Sequence, residues 1–210
     1  MNNLQKRILT SLVILPLSFF FIVKGGYFLI FFLIFVLLAG FKELFTAFKK
    51  RITILFLGLV LILSLFSIYY LRNDTFNNYI LYWVIILVAC SDIGGYTFGK
   101  IFKWKKLTKI SPKKTISGVF GSFFLPLVWL IIASEIFSTS ILNIKYFFLT
   151  LLLSFVTQLG DLTISYFKRI EKIKDTGKIL PGHGGIFDRI DGLMFVLIVT
   201  FILFQFKIVP

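Results

Sequence analysis

Ile52-Thr53-Ile54-Leu55-Phe56-Leu57-Gly58-Leu59-Val60-Leu61-Ile62-Leu63-Ser64-Leu65-Phe66-Ser67-Ile68-Tyr69-Tyr70-Leu71 runs from Arg51 to Arg72 without a single charge. A helix over this run, at ~1.5 Å per residue, is ~30 Å long, the thickness of a bilayer's hydrocarbon core. Its apolar residues are continuous rather than spaced at the period of a half-buried helix, so no face is reserved for water. The surrounding medium must itself be apolar.

Working outward, six similar runs bring the expected total to seven spans, over 8–23, 27–41, 52–71, 79–98, 118–137, 146–164 and 192–209. Composition agrees: 58% of the 210 residues are hydrophobic, 19% aromatic and only 15% charged, against ~25% charged in a soluble domain. Mean hydropathy is +0.96. The fold class expected is all-α, a polytopic membrane protein forming one domain over 1–210. The first two runs are short for a bilayer and suggest either a hairpin pivoting at Gly25-Gly26 or spans that extend into flanking residues. Lys6 and Arg7 followed by an apolar stretch imitate a signal peptide, but Lys24-Gly25-Gly26 leads straight into the next run, so a retained first span is expected. Cys90, the one cysteine, lies inside an apolar run, excludes an intramolecular disulfide and reads as a small core residue.

The net charge of +14, from 23 Lys and Arg against 9 Asp and Glu, would suggest nucleic acid in a soluble protein. Here most of it reads as orientation, and no nucleic-acid partner is expected. Seven alternating spans send Lys6, Arg7, Lys42, Lys49, Lys50 and Arg51, the seven lysines from Lys100 to Lys114, and Lys168, Arg169, Lys172, Lys174, Lys178 and Arg189 to one side. Lys24, Arg72, Lys145 and Lys207 fall on the other. Nineteen against four predicts a cytoplasmic N-terminus and places loops 99–117 and 165–191 together on the cytoplasmic face.

Four of the nine acidic residues, Asp161, Asp175, Asp188 and Asp191, gather with His183 in a short region. Asp161 ends a span, where a carboxylate is costly unless it meets a cation or a watery cavity. Asp161, Ser165 and Lys168 share one helical face, able to hold a metal and a phosphate, while Asp188 and Asp191 project together from the start of the last helix. Gly182, Gly184 and Gly185 permit close backbone approach to a ligand. Carboxylates for Mg²⁺ with Lys and Arg for phosphates are the usual equipment of phosphoryl or nucleotidyl transfer. Each feature also has a plainer reading. Basic juxtamembrane loops signal topology or touch headgroups, Gly-Gly marks turns, a lone His is usually structural, and Asp188 beside Arg189 makes an ion pair or a helix cap.

The stretch Ser165-Tyr166-Phe167-Lys168-Arg169-Ile170-Glu171-Lys172-Ile173-Lys174-Asp175, followed by Pro181-Gly182-His183-Gly184-Gly185-Ile186-Phe187-Asp188-Arg189-Ile190-Asp191, resembles the signature of phosphatidate cytidylyltransferases (CDP-diacylglycerol synthases), at fixed spacing over 27 positions. Gly160-Asp161 stands just upstream, as in that family. A second block, Ser91-Asp92-Ile93-Gly94-Gly95-Tyr96-Thr97-Phe98-Gly99-Lys100 with Ser111-Pro112-Lys113-Lys114-Thr115-Ile116-Ser117-Gly118, is similar to the family's earlier segment. Within it Asp92, Gly95 and Gly99 form a small-residue helical face that presents one carboxylate, although ordinary helix packing accounts for the glycines equally well. The resemblance covers roughly 80–200. Ser117 and Ile164 depart from it, the family commonly carrying Glu at both.

The resemblance implies CTP and phosphatidate (phosphatidic acid) as substrates and CDP-diacylglycerol and pyrophosphate as products. It implies Mg²⁺ held by Asp161 and Asp188, with Asp92 and Asp191 as further ligands of a two-ion site, and phosphates neutralised by Lys168, Arg169 and Arg189. Ser165, His183 and the amides of Gly184 and Gly185 would position substrate, and Ser111, Lys113, Lys114 and Thr115 would take the nucleotide. A homodimer among membrane lipids of a bacterial inner membrane fits the same resemblance. The residues alone leave open a cytidylyltransferase for an ether or isoprenoid lipid phosphate, an ion-coupled transporter using Asp92 and Asp161, and an inactive scaffold.

Overall fold

The computed structural model describes residues 3–73, 79–108, 111–112, 114–136, 144–177, 179 and 184–208. Seven helices form among them: α1 (Asn3–Lys24), α2 (Gly26–Ala47), α3 (Arg51–Asn73), α4 (Tyr79–Phe102), α5 (Ile116–Ile136), α6 (Ile144–Ile170) and α7 (Phe187–Gln205). Each expected span coincides with one helix, and α2 to α6 are long and apolar enough to cross a membrane. The chain is a polytopic, all-α integral membrane protein.

The ends of the helices differ from the apolar runs in an informative way. The first two runs looked short, yet α1 and α2 are each 22 residues, or ~33 Å. Helix α2 continues past Lys42 and Glu43 because Glu43 is buried against hydrogen-bond donors, which hydropathy cannot register. Helix α6, at 27 residues or ~40 Å, exceeds a ~30 Å hydrocarbon core. Its surplus turns carry Ser165, Lys168 and Arg169. The hinge expected at Gly25-Gly26 is there: both residues have positive φ, 67° and 53°. Arg72, at the end of α3, closes the turn by donating to the Ile22 and Val23 carbonyls.

Helix α7 is the shared wall of two apolar cores. One is built mainly from α2 and α3, with Leu44, Leu57 and Leu61 packed on Phe187 and Leu197; the other joins α4, α5 and α6 through Trp83, Trp129 and Leu153, with Val196. Leu193 of α7 touches both. Because lipid tails are as apolar as Leu, close packing rather than water exclusion decides which helices associate, and small residues permit it. Helices α4 and α5 cross where a Cβ on Gly94 or Gly121 would run into the other's carbonyl, and a Cβ on Gly118 would lie 2.7 Å from the Gly95 oxygen. The small face of α4 therefore runs through Gly94, which carries the tightest approach, as well as Gly95 and Gly99.

Three connections meet at one end of the bundle. The Lys50 amide donates to Glu171, Lys114 pairs with Asp161, and the start of α7 is bonded to Glu43. The α2–α3 connection thus touches the α6–α7 connection, and the α4–α5 connection reaches α6 at Asp161.

Candidate active site

Helices α6 and α7 cross at Gly160 and Gly192. A Cβ on Gly160 would lie 3.1 Å from the Asp191 carbonyl, and one on Gly192 3.0 Å from that of Thr157. Asp161 follows the first glycine and Asp191 precedes the second, so the crossing that needs small residues also brings two aspartates together. Asp92 joins them from α4. The charges of Asp92, Asp161 and Asp191 act on one another, and Arg189 acts on Asp92. Asp191 Oδ1 is held by the Gly192 amide at 2.8 Å.

The segment between α4 and α5 folds back as a short hairpin. Lys106 bridges Thr115 in antiparallel fashion, and the Leu107 amide donates to the Lys114 carbonyl at 2.8 Å. Ser117, 2% exposed, ties the hairpin's root to α5: its hydroxyl accepts from the Trp104 amide and bonds Thr115 Oγ1. This is the work done at one departure from the family pattern. Ile164, the other, is fully buried in the apolar core. The hairpin delivers Lys114 to the carboxylates, with Nζ 2.7 Å from Asp161 Oδ2 and 3.1 Å from Gln158 Oε1. Ser165 donates to the other Asp161 oxygen at 3.3 Å.

A cavity of about 240 Å³ opens here, lined by Asp92, Gly95, Tyr96, Ser111, Lys114, Thr115, Gly118, Val119, Gln158 and Asp161. Among the described residues it offers two carboxylates, one ammonium, hydroxyls and glycine backbone, a set suited to a phosphorylated ligand and its cation.

Asp188 has different employment. Its Oδ1 accepts Lys168 Nζ at 2.8 Å, in a pair whose side chains are only 11% and 6% exposed. Its Oδ2 accepts the Thr176 amide at 2.8 Å, the Gly185 amide at 3.0 Å and the Thr176 hydroxyl at 3.2 Å. Asp188 thereby pins the 171–186 connection to α6 and α7. The close approach expected of Gly184 and Gly185 occurs, but toward the protein's own carboxylates. Gly184, at φ 88°, lies where a Cβ would be 2.9 Å from Asp188 Oδ2, and the Gly185 amide is spent on Asp188. Asp188 and Asp191 share a helical turn yet serve separate clusters.

Of the remaining expected residues, Ser111 and Thr115 line the cavity, and Arg169 donates to the Ile173 carbonyl. Lys113 and His183 lie outside the described residues. Sequence reasoning passed over Gln158, which links Lys114 to Ser91, and Tyr96. Both were visible as polar groups on apolar spans beside motif residues. It also passed over Thr176 and Glu43, the latter signalled by a carboxylate near the end of a span. Among the described residues no three His, Cys, Asp or Glu side chains are drawn together closely enough to enclose an ion. Mg²⁺ in nucleotide enzymes, however, takes one or two carboxylates and completes its shell with substrate phosphates and water. Asp92 and Asp161 on one cavity fit that requirement.

Comparison with known proteins gives the family. Phosphatidate cytidylyltransferase of Staphylococcus aureus (strain COL) is 44% identical over 134 residues, 63% of this chain and 51% of that protein. The proteins of the same name from Staphylococcus haemolyticus and Staphylococcus epidermidis are each 44% identical over 138 residues, with the same coverage. The chain thus spans about half the length of the curated relatives it matches. The model of the cytidylyltransferase family matches residues 47–207, which takes in α3 to α7, the hairpin and every residue of the cavity. With more than half of its length matched, the chain belongs to the cytidylyltransferase family.

Proposed function

We propose that the protein is a CTP:phosphatidate cytidylyltransferase, making CDP-diacylglycerol and pyrophosphate at the cytoplasmic face of a bacterial inner membrane. The observation that carries this reading is the cavity where Asp92, Asp161 and Lys114 converge, at the end of the bundle where the basic loops meet. Family membership and the names of the relatives supply the reaction class.

In the reaction, a phosphate oxygen of phosphatidate attacks the α-phosphorus of CTP. A P–O bond forms there, the bond to the bridging oxygen of the β-phosphate breaks, and pyrophosphate leaves with that electron pair. The lipid phosphate is already anionic and needs no strong base, so the obstacle is repulsion between phosphates. Mg²⁺, when bound, supplies charge neutralisation and Lewis-acid polarisation of the phosphoryl oxygens. Asp161 and Asp92 would hold it, with Asp191 adding negative potential behind them. Lys114 would move its charge from Asp161 to a nucleotide phosphate as one arrives. Lys168 and Asp188 brace the connection that leads into α7, and Arg189, in the first turn of that helix, would lend positive charge near Asp92.

Purified protein given CTP, phosphatidate and Mg²⁺ should release pyrophosphate and form CDP-diacylglycerol, and chelation should stop both. No turnover with diacyl phosphatidate alongside turnover with an ether or isoprenoid lipid phosphate would reassign the substrate. No metal-dependent CTP turnover with any of them would overturn the reading.

A further inference from the structure

Glu43 has no part in the reaction as drawn, and it lies ahead of the residues that match the family. It is 1% exposed, and among the described residues no Lys or Arg pairs with it. Its oxygens instead accept donors 133 to 144 residues further along the chain. Oε1 takes the Ile186 amide at 2.8 Å, and Oε2 takes the Phe187 amide at 3.1 Å and the Thr176 hydroxyl at 3.3 Å.

Those two amides open α7, whose cap residue Ile186 offers no side-chain hydrogen bond. An orphaned helix N-terminus is normally satisfied by a neighbouring Ser, Thr, Asp or Asn. Here a carboxylate from a distant helix does it, with its negative charge at the positive end of the α7 dipole. The connection is shaped to admit it: a Cβ on Gly177 would lie 2.7 Å from Oε1 and one on Gly185 2.5 Å from Oε2. The Thr176 hydroxyl stands between Glu43 Oε2 and Asp188 Oδ2, at 3.3 and 3.2 Å, with one proton for two carboxylates. Glu43 is thus continuous, through Thr176 and Asp188, with Lys168.

We propose that Glu43 is a positioning residue for the proposed reaction: by capping α7 from α2, it fixes the turn that presents Asp188, Arg189 and Asp191, so catalytic competence depends on how α2 is seated. The proposal rests on the reading of function above. It makes a distinction that a purely structural role does not. Among the described residues the cavity is lined from α4, the hairpin, α5 and α6 and takes none from α2, the 171–186 connection or α7. Loss of Glu43 should therefore slow the chemistry and leave nucleotide binding alone.

The test uses the full chain in detergent or nanodiscs, with CTP, phosphatidate and Mg²⁺. Glu43→Gln keeps the volume but must turn an NH2 toward one of the two amides. It should lower kcat by ~10-fold or more with the KM for CTP within about twofold of wild type. Hydrogen exchange at Ile186 and Phe187 should accelerate while α4 and α5 stay protected. Glu43→Asp, which keeps the charge on a shorter stem, should recover part of kcat. If Glu43→Gln fails to insert, Gly185→Ala pushes the connection off the same carboxylate and should give the same split. An active wild type with unchanged kcat in Glu43→Gln overturns the proposal, as does a loss of kcat accompanied by loosening of every helix. A wild type with no CTP turnover overturns the reading of the reaction first and this proposal with it.

Discussion

Asp161 and Asp188 look interchangeable in sequence, each an aspartate of the quoted motif, but their surroundings predict effects on stability of very different size. Asp188 and Lys168 form a pair 11% and 6% exposed, with three further donors on the same carboxylate. Removing one partner from such a buried pair costs ~3–5 kcal/mol, because the other charge is left uncompensated. Asp188→Asn must in addition turn an NH2 toward either an ammonium or two backbone amides. Concentrated on the 171–186 connection, that cost corresponds to a roughly 100- to 5,000-fold rise in its opening equilibrium. Asp161 and Lys114 are more open, at 30% and 17%, so solvent discounts their pairing toward the ~0–1 kcal/mol of exposed pairs. Asp161→Asn should abolish CTP turnover while leaving exchange at Thr176 and Gly185 as in wild type. Asp188→Asn should lose both turnover and that protection. Hydrogen exchange by mass spectrometry on the two purified variants, with CDP-diacylglycerol formation measured in parallel, separates them. Equal protection of the connection in both variants would refute the division of labour between the two aspartates.

Lys114→Met should raise the KM for CTP by ~10-fold or more, measured by pyrophosphate release across a CTP series, because among the described residues Lys114 is the one lysine that lines the cavity. Gly121→Ala places a Cβ against the Gly94 carbonyl and 2.6 Å from Phe98. It should cost ~1–3 kcal/mol by overpacking, read as a fall in thermal midpoint in detergent. In a Cys90→Ser background, a cysteine introduced at Lys172 should be labelled by an impermeant maleimide only once the cell is opened; labelling of intact cells would invert the proposed orientation.

The seven helices were legible in the sequence because the bilayer imposes a simple rule: every backbone polar group must be satisfied within a continuous apolar helix. Runs such as 52–71 announce that rule residue by residue. That the 99–117 and 165–191 loops lie toward one end followed from alternation, and Lys114, Ser111 and Thr115 beside Asp92 and Asp161 lay in quoted motifs. Partnership was not legible. Asp188 and Asp191 stand three apart on one helix, yet one is consumed by Lys168 and two amides, and the other is set beside the like charge of Asp161 at a glycine crossing. The ends of α2 and α7 were misplaced for the same cause. Hydropathy reads Glu43 as the end of an apolar segment, whereas the fold buries it on amides that it cannot have met until α2 and α7 were side by side. Sequence alone determined that this chain crosses a membrane and carries the residue types of nucleotide-lipid chemistry, because burial in lipid and charge are properties of single residues and short runs. Which carboxylates open to the cavity and which brace the scaffold was decided only by tertiary structure, because a hydrogen bond needs a donor and an acceptor that the chain stores far apart.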